Sequence, residues 1–95
     1  MRNIGILDSA EPLFQRVLDA RGRVFGSEHP KTLWTVVGFA KLREKQGRWD
    51  AAEVFFRRAK EGYEKAFGDE HAEATQAAKD VSDFLERRKE AEARA

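Results

Sequence analysis

The chain has no cysteine, and with it go disulfides, thiolate nucleophiles and Cys-ligated zinc. It has only two prolines, so long stretches are free to stay helical. No long apolar run occurs, at Met1–Asp8 or elsewhere, which argues against a signal peptide or a transmembrane span. Nor does charge of one sign dominate. Lys and Arg number 18 and Asp and Glu 17, for a net charge of +1, and the two signs are interleaved along the chain. A nucleic-acid binder carries a one-sided basic stripe instead. The basic runs Arg57-Arg58 and Arg87-Arg88-Lys89 each have Glu or Asp beside them. Together these absences point to a cytoplasmic protein that binds neither nucleic acid nor membrane. A chain of 95 residues makes one small domain, burying only about 60–65% of its unfolded surface.

What is present is a repeat. Slid against itself by 42 residues, the chain matches Gly5 to Gly47, Asp8 to Asp50, Ala10 to Ala52, Glu11 to Glu53, Phe14 to Phe56 and Arg16 to Arg58. Phe25-Gly26 falls on Phe67-Gly68, and Glu28-His29 on Glu70-His71. A period of this length suits two helices and two turns.

Periodicity and end signals place the helices. Trp49, Ala52, Phe56, Ala59, Tyr63, Ala66 and Phe67 recur at helical spacing. Asp50 and Glu53 form a capping-box pattern, and Gly68 is a stop. The same pattern recurs with Asp8, Glu11 and Gly26, and puts Pro12 in a first turn. Pro30 opens the partner helix, whose apolar side is Leu33, Val36, Val37, Phe39, Ala40 and Leu42. A last helix from near Ala72 has the thinner apolar side Ala74, Ala77, Ala78, Val81, Phe84 and Leu85. The expectation is four helices over 8–25, 30–46, 50–67 and 72–90. The fold class is all-α, with antiparallel helix-turn-helix repeats: a half repeat over 5–26, a full repeat over 30–68, a capping helix over 72–90 and a charged tail over 91–95.

Several motifs of residues 30–71 are in one register: His-Pro-x-Thr, Phe-Ala-x-Leu, Gln-Gly before Trp49, Ala-Glu at 52–53, and Phe-Gly-x-Glu-His. This segment resembles the long tetratricopeptide repeat of the kinesin light chain family, a variant also found in the sensor regions of NB-ARC and NACHT-type ATPases. The resemblance implies an α-solenoid that binds a protein or peptide and is not an enzyme, with no cofactor. It implies a concave face on Trp34, Val37, Lys41, Glu44 and Lys45, continued in the last helix by Gln76, Lys79, Asp83, Glu86 and Arg87. Trp34 lies off the core stripe and reads either as a partner's anchor or as packing on a neighbouring element. The asparagine pair with which such repeats grip a peptide backbone falls on Val37-Gly38 and Lys79-Asp80, so that grip is missing.

His29 and His71 lack further ligands and read as helix caps rather than a zinc pair. No nucleophile-elbow or phosphate-loop pattern occurs. The first helix should expose part of Ile4, Ile6, Leu7, Phe14, Val17 and Leu18, because its preceding partner is absent. Two expectations follow: the chain is the C-terminal piece of a longer interaction array, or a small protein that self-associates through its N-terminal helix. A third is a sensor piece of a regulatory ATPase.

Overall fold

The computed structural model describes the backbone of residues 4–95 and the side chains from residue 8 onward. Four helices follow one another: α1 (Ile4–Phe25), α2 (Pro30–Lys45), α3 (Trp49–Phe67) and α4 (Ala72–Arg94). The loops between them are short, which makes neighbours antiparallel. Each helix backbone adjoins only the next, α1 on α2, α2 on α3 and α3 on α4. The result is an open, flat stack of 38 × 28 × 16 Å, not a closed bundle. Among the described residues no helix is long and apolar enough to cross a membrane.

The stack is held by two linked clusters. Leu33, Val36, Phe39, Ala59 and Tyr63 sit in one, with Leu18 and Phe14 from α1 and Ala74 and Ala77 from α4. Ala40, Ala52, Phe56, Val81 and Phe84 form the other. Phe55 touches both, and its ring stacks on Phe39 at 4.8 Å. Large rings lie beside alanines, so facing helices interdigitate at close range.

The repeated Phe-Gly-x-Glu-His motif has a mechanical meaning. Gly26 and Gly68 take φ of 94° and 90°, a left-handed bend that a side chain would strain. The chain then turns so that His29 stacks on Phe25 at 4.7 Å and His71 on Phe67 at 4.3 Å. Each imidazole Nδ1 accepts a hydrogen bond, from the Lys31 amide in one case and the Glu73 amide in the other, both at 3.1 Å. Both histidines are therefore N-caps of the helices that follow them, as expected.

The capping boxes are a correction. α1 starts at Ile4, so Asp8, Glu11 and Pro12 lie inside it rather than in its first turn. α3 is preceded by Arg48, which makes no side-chain cap bond. The four carboxylates bond across helices instead. Gln46 donates to Asp8 and Glu11, Arg43 donates to Glu11, and Arg88 donates to Asp50 and Glu53. Gln46 and Arg88 are equivalent under the 42-residue shift, so one staple joins successive units twice. An Asp three residues before a Glu satisfies the capping pattern and the staple alike, and sequence spacing does not separate them.

The ends also differ. α4 runs to Arg94, so most of the expected tail over 91–95 continues the helix. Of the apolar residues expected to be exposed on α1, Val17 is exposed and Phe14 is half-buried, whereas Leu18 is buried against α2. The side chains of Ile4, Ile6 and Leu7 lie outside the described residues.

Candidate functional site

α2 and α4 stand side by side with α3 behind them, and the gap between them is a cleft of about 310 Å³. Trp34, Val37 and Lys41 form one wall, Glu73, Gln76, Ala77 and Asp80 the other, and Tyr63 of α3 closes the floor. The cleft widens past Trp34 into a second hollow of about 600 Å³, lined by Arg21, Phe25, Pro30, Lys31, Trp34, Tyr63 and Glu73. Trp34 belongs to both hollows and is 69% exposed.

The position of Trp34 follows from helix geometry. Leu33, Val36 and Ala40 point into the core, which turns position 34 to the cleft side. The Arg21 guanidinium lies 5.8 Å from its ring centre. Arg21 itself donates to the Thr35 hydroxyl at 2.8 Å and to the Lys31 carbonyl at 3.1 Å, which holds it beside the indole. Lys31 in turn lies 5.0 Å from the Phe25 ring centre. This end of the site pairs cations with aromatic faces.

The two walls differ in charge. Arg21, Lys31 and Lys41 lie on the α1–α2 side, Glu73 and Asp80 on the α4 side. The Tyr63 phenol is pushed above its ordinary pKa, first by burial and then by Glu73 and Asp80. It stays a neutral hydroxyl, able to donate or accept.

The expected concave residues divide into two groups. The structure gathers Trp34, Val37 and Lys41 in the cleft, with Gln76 opposite. Glu44, Lys45, Lys79 and Asp83 do not line it. Glu44 accepts two hydrogen bonds from Arg87, at 2.6 and 2.9 Å, closing the far end by a bridge from α2 to α4. That carboxylate raises the pKa of Arg87. Lys79 is paired with Asp83 at 2.9 Å along the surface of α4, and this bond raises the pKa of Lys79. Lys45 is exposed at the end of α2.

Arg21, Phe25 and Tyr63 were not expected in the site. The repeat held the signal for Arg21, because it is the equivalent of Tyr63 one unit earlier. Gly38 explains part of the missing amide pair. A Cβ there would meet Phe14 Cε1 at 2.8 Å, so the ring of α1 occupies the room a longer side chain would need.

A stack of antiparallel helix pairs with histidine-capped turns and an open groove between alternate helices defines a helical-repeat protein. The family model "Tetratricopeptide repeat" matches residues 4–65, and the chain belongs to that family. The match covers α1, α2 and nearly all of α3. Repeats of this family serve as protein–protein interaction modules. No curated protein matches the chain.

Proposed function

We propose that the chain is a protein-binding module, not a catalyst, and that its ligand is a peptide segment laid in the α2–α4 cleft with an apolar or aromatic side chain against Trp34. The exposure of Trp34, held beside Arg21 at the junction of the two hollows, carries this reading. Large aromatic side chains presented to solvent in a preformed groove are common anchors. The 42-residue period and the histidine-capped turn support the kinesin light chain-like subtype.

The grip differs from the one that subtype uses. Val37-Gly38 and Lys79-Asp80 offer no amide ladder for a peptide backbone. Charge on the two walls takes over orientation. A ligand with an acidic residue toward Lys31 and Lys41 and a basic residue toward Glu73 and Asp80 fits. Lys79 and Asp83 neutralise each other outside the cleft and add little to such a grip.

Peptides selected from a displayed library against the wild type test this reading. Trp34→Ala should weaken them by about tenfold or more, and Lys41→Glu should change which peptides are selected, with thermal melts unchanged. Selected peptides that bind Trp34→Ala as tightly as the wild type would remove the cleft from the argument.

A further inference from the structure

The face of α1 turned away from α2 carries Leu13, Val17 and Val24, which are 59%, 42% and 73% exposed. With half-buried Ala20 they make one stripe at 4, 3 and 4 spacing. The 42-residue shift shows what such a stripe receives. Its equivalents on α3 are Phe55, Ala59, Gly62 and Ala66, and the first three pack on α2: Phe55 stacks on Phe39, Gly62 lies under Leu33, and Ala59 shares their cluster. The α1 stripe is therefore shaped for a helix seated as α2 is seated on α3.

We propose that this helix is α4 of a second copy, so that copies stack head to tail. α4 is the equivalent of α2, and on the face matching the α3-facing side of α2 Thr75 and Ser82 are exposed and Ala78 is half-buried, while Val81 is already buried with Phe56 and Phe84. The substitutions compensate pair by pair. Leu33 over Gly62 becomes Thr75 over Ala20, a smaller side chain where the opposite backbone gains a methyl. Val36 with Ala59 becomes Ala78 with Val17, the large and small partners exchanged.

Charge agrees. Within one copy Lys65 of α3 pairs with Glu28, ahead of α2, at 3.4 Å. The equivalents are Arg23 on α1 and Glu70 ahead of α4, of the right signs and both exposed. Two α1 helices facing each other would instead bring Arg16 and Arg23 of both copies together. Helix length agrees as well. α1 begins at Ile4 rather than at Leu7, the equivalent of Trp49, and α4 runs to Arg94 rather than stopping at Arg87, the equivalent of Lys45. In an antiparallel α4–α1 pair both extensions fall at the same end and lengthen the same contact. The contact is heterologous, and growth does not stop at a dimer unless the stack closes into a ring.

Sedimentation velocity from about 1 µM to about 1 mM tests this. The wild-type mass should climb with concentration without a plateau at the dimer. Val17→Glu blocks the α1 face and Ser82→Arg the α4 face, both at exposed positions, so each variant should be a folded monomer by circular dichroism. Mixed together they should form a 1:1 dimer and nothing larger, because one retains α4 and the other α1. Arg23→Glu should weaken association and Glu70→Arg in the same chain should restore it. A wild type that stays monomeric throughout would overturn the proposal. So would a dimer that survives Ser82→Arg, since that dimer pairs α1 with α1.

Discussion

Leu33 lies across the bare backbone of Gly62, and a Cβ on Gly62 would lie 2.4 Å from one methyl group of the leucine and 3.0 Å from the other. The glycine is a packing residue in mid-helix. Gly62→Ala brings opposed effects. Alanine favours the helix by about 1 kcal/mol, while overpacking costs about 1–3 kcal/mol. Because the obstacle is a fully buried leucine, overpacking prevails and stability falls. Urea titration should show a lower midpoint; a higher one would mean that Leu33 moves aside freely.

Thr32 is fully buried, and its hydroxyl finds no partner among the described residues. Burying an unpaired hydroxyl costs about 1–3 kcal/mol. Thr32→Val keeps the shape and removes that cost, so it should stabilise the fold by about 1 kcal/mol. A thermal melt below that of the wild type would show that the hydroxyl is hydrogen-bonded in solution.

His71 holds the start of α4 through Nδ1 and lies against Phe67. His71→Ala should cost about 1 kcal/mol, the usual worth of an N-cap. His71→Asn keeps an acceptor at the same place and should recover much of the loss. Hydrogen exchange of the first α4 amides reads this locally; equal protection in the two variants would exclude the capping role.

Glu11 has its pKa lowered by the hydrogen bond from Gln46, then by that from Arg43, with both Arg43 and Arg48 adding charge attraction. The folded state therefore holds the Glu11 proton less tightly than the unfolded state does. Its stabilising contribution is present above the ordinary carboxylate range and disappears as pH falls through the lowered value. Glu11→Gln should lower stability near neutrality and flatten the acid side of the stability–pH curve. If the variant and the wild type lose stability in parallel between about pH 6 and about pH 3, the staple carries no proton linkage.

Much of the fold is legible in the sequence. Helix number, order and approximate ends follow from apolar spacing, Gly26, Gly68 and Pro30, because each is a local property of the backbone. The repeat doubled every signal, and it correctly marked His29 and His71 as caps. The site was legible only in part. Trp34, Val37 and Lys41 share one face of one helix, so their grouping follows from period alone. Arg21, Phe25 and Tyr63 reach the same cleft from two other helices, and no spacing along the chain reports that.

The carboxylates show the same boundary most sharply. The sequence by itself determined that Asp8, Glu11, Asp50 and Glu53 recur in register, and that the chain is built of helical pairs. Only the tertiary structure decided that they bind Gln46, Arg43 and Arg88 across helices rather than capping their own. The physical reason is reach. A cap needs neighbours a few residues away, whereas these partners lie more than thirty residues off in the chain and meet the carboxylates only once the helices have packed.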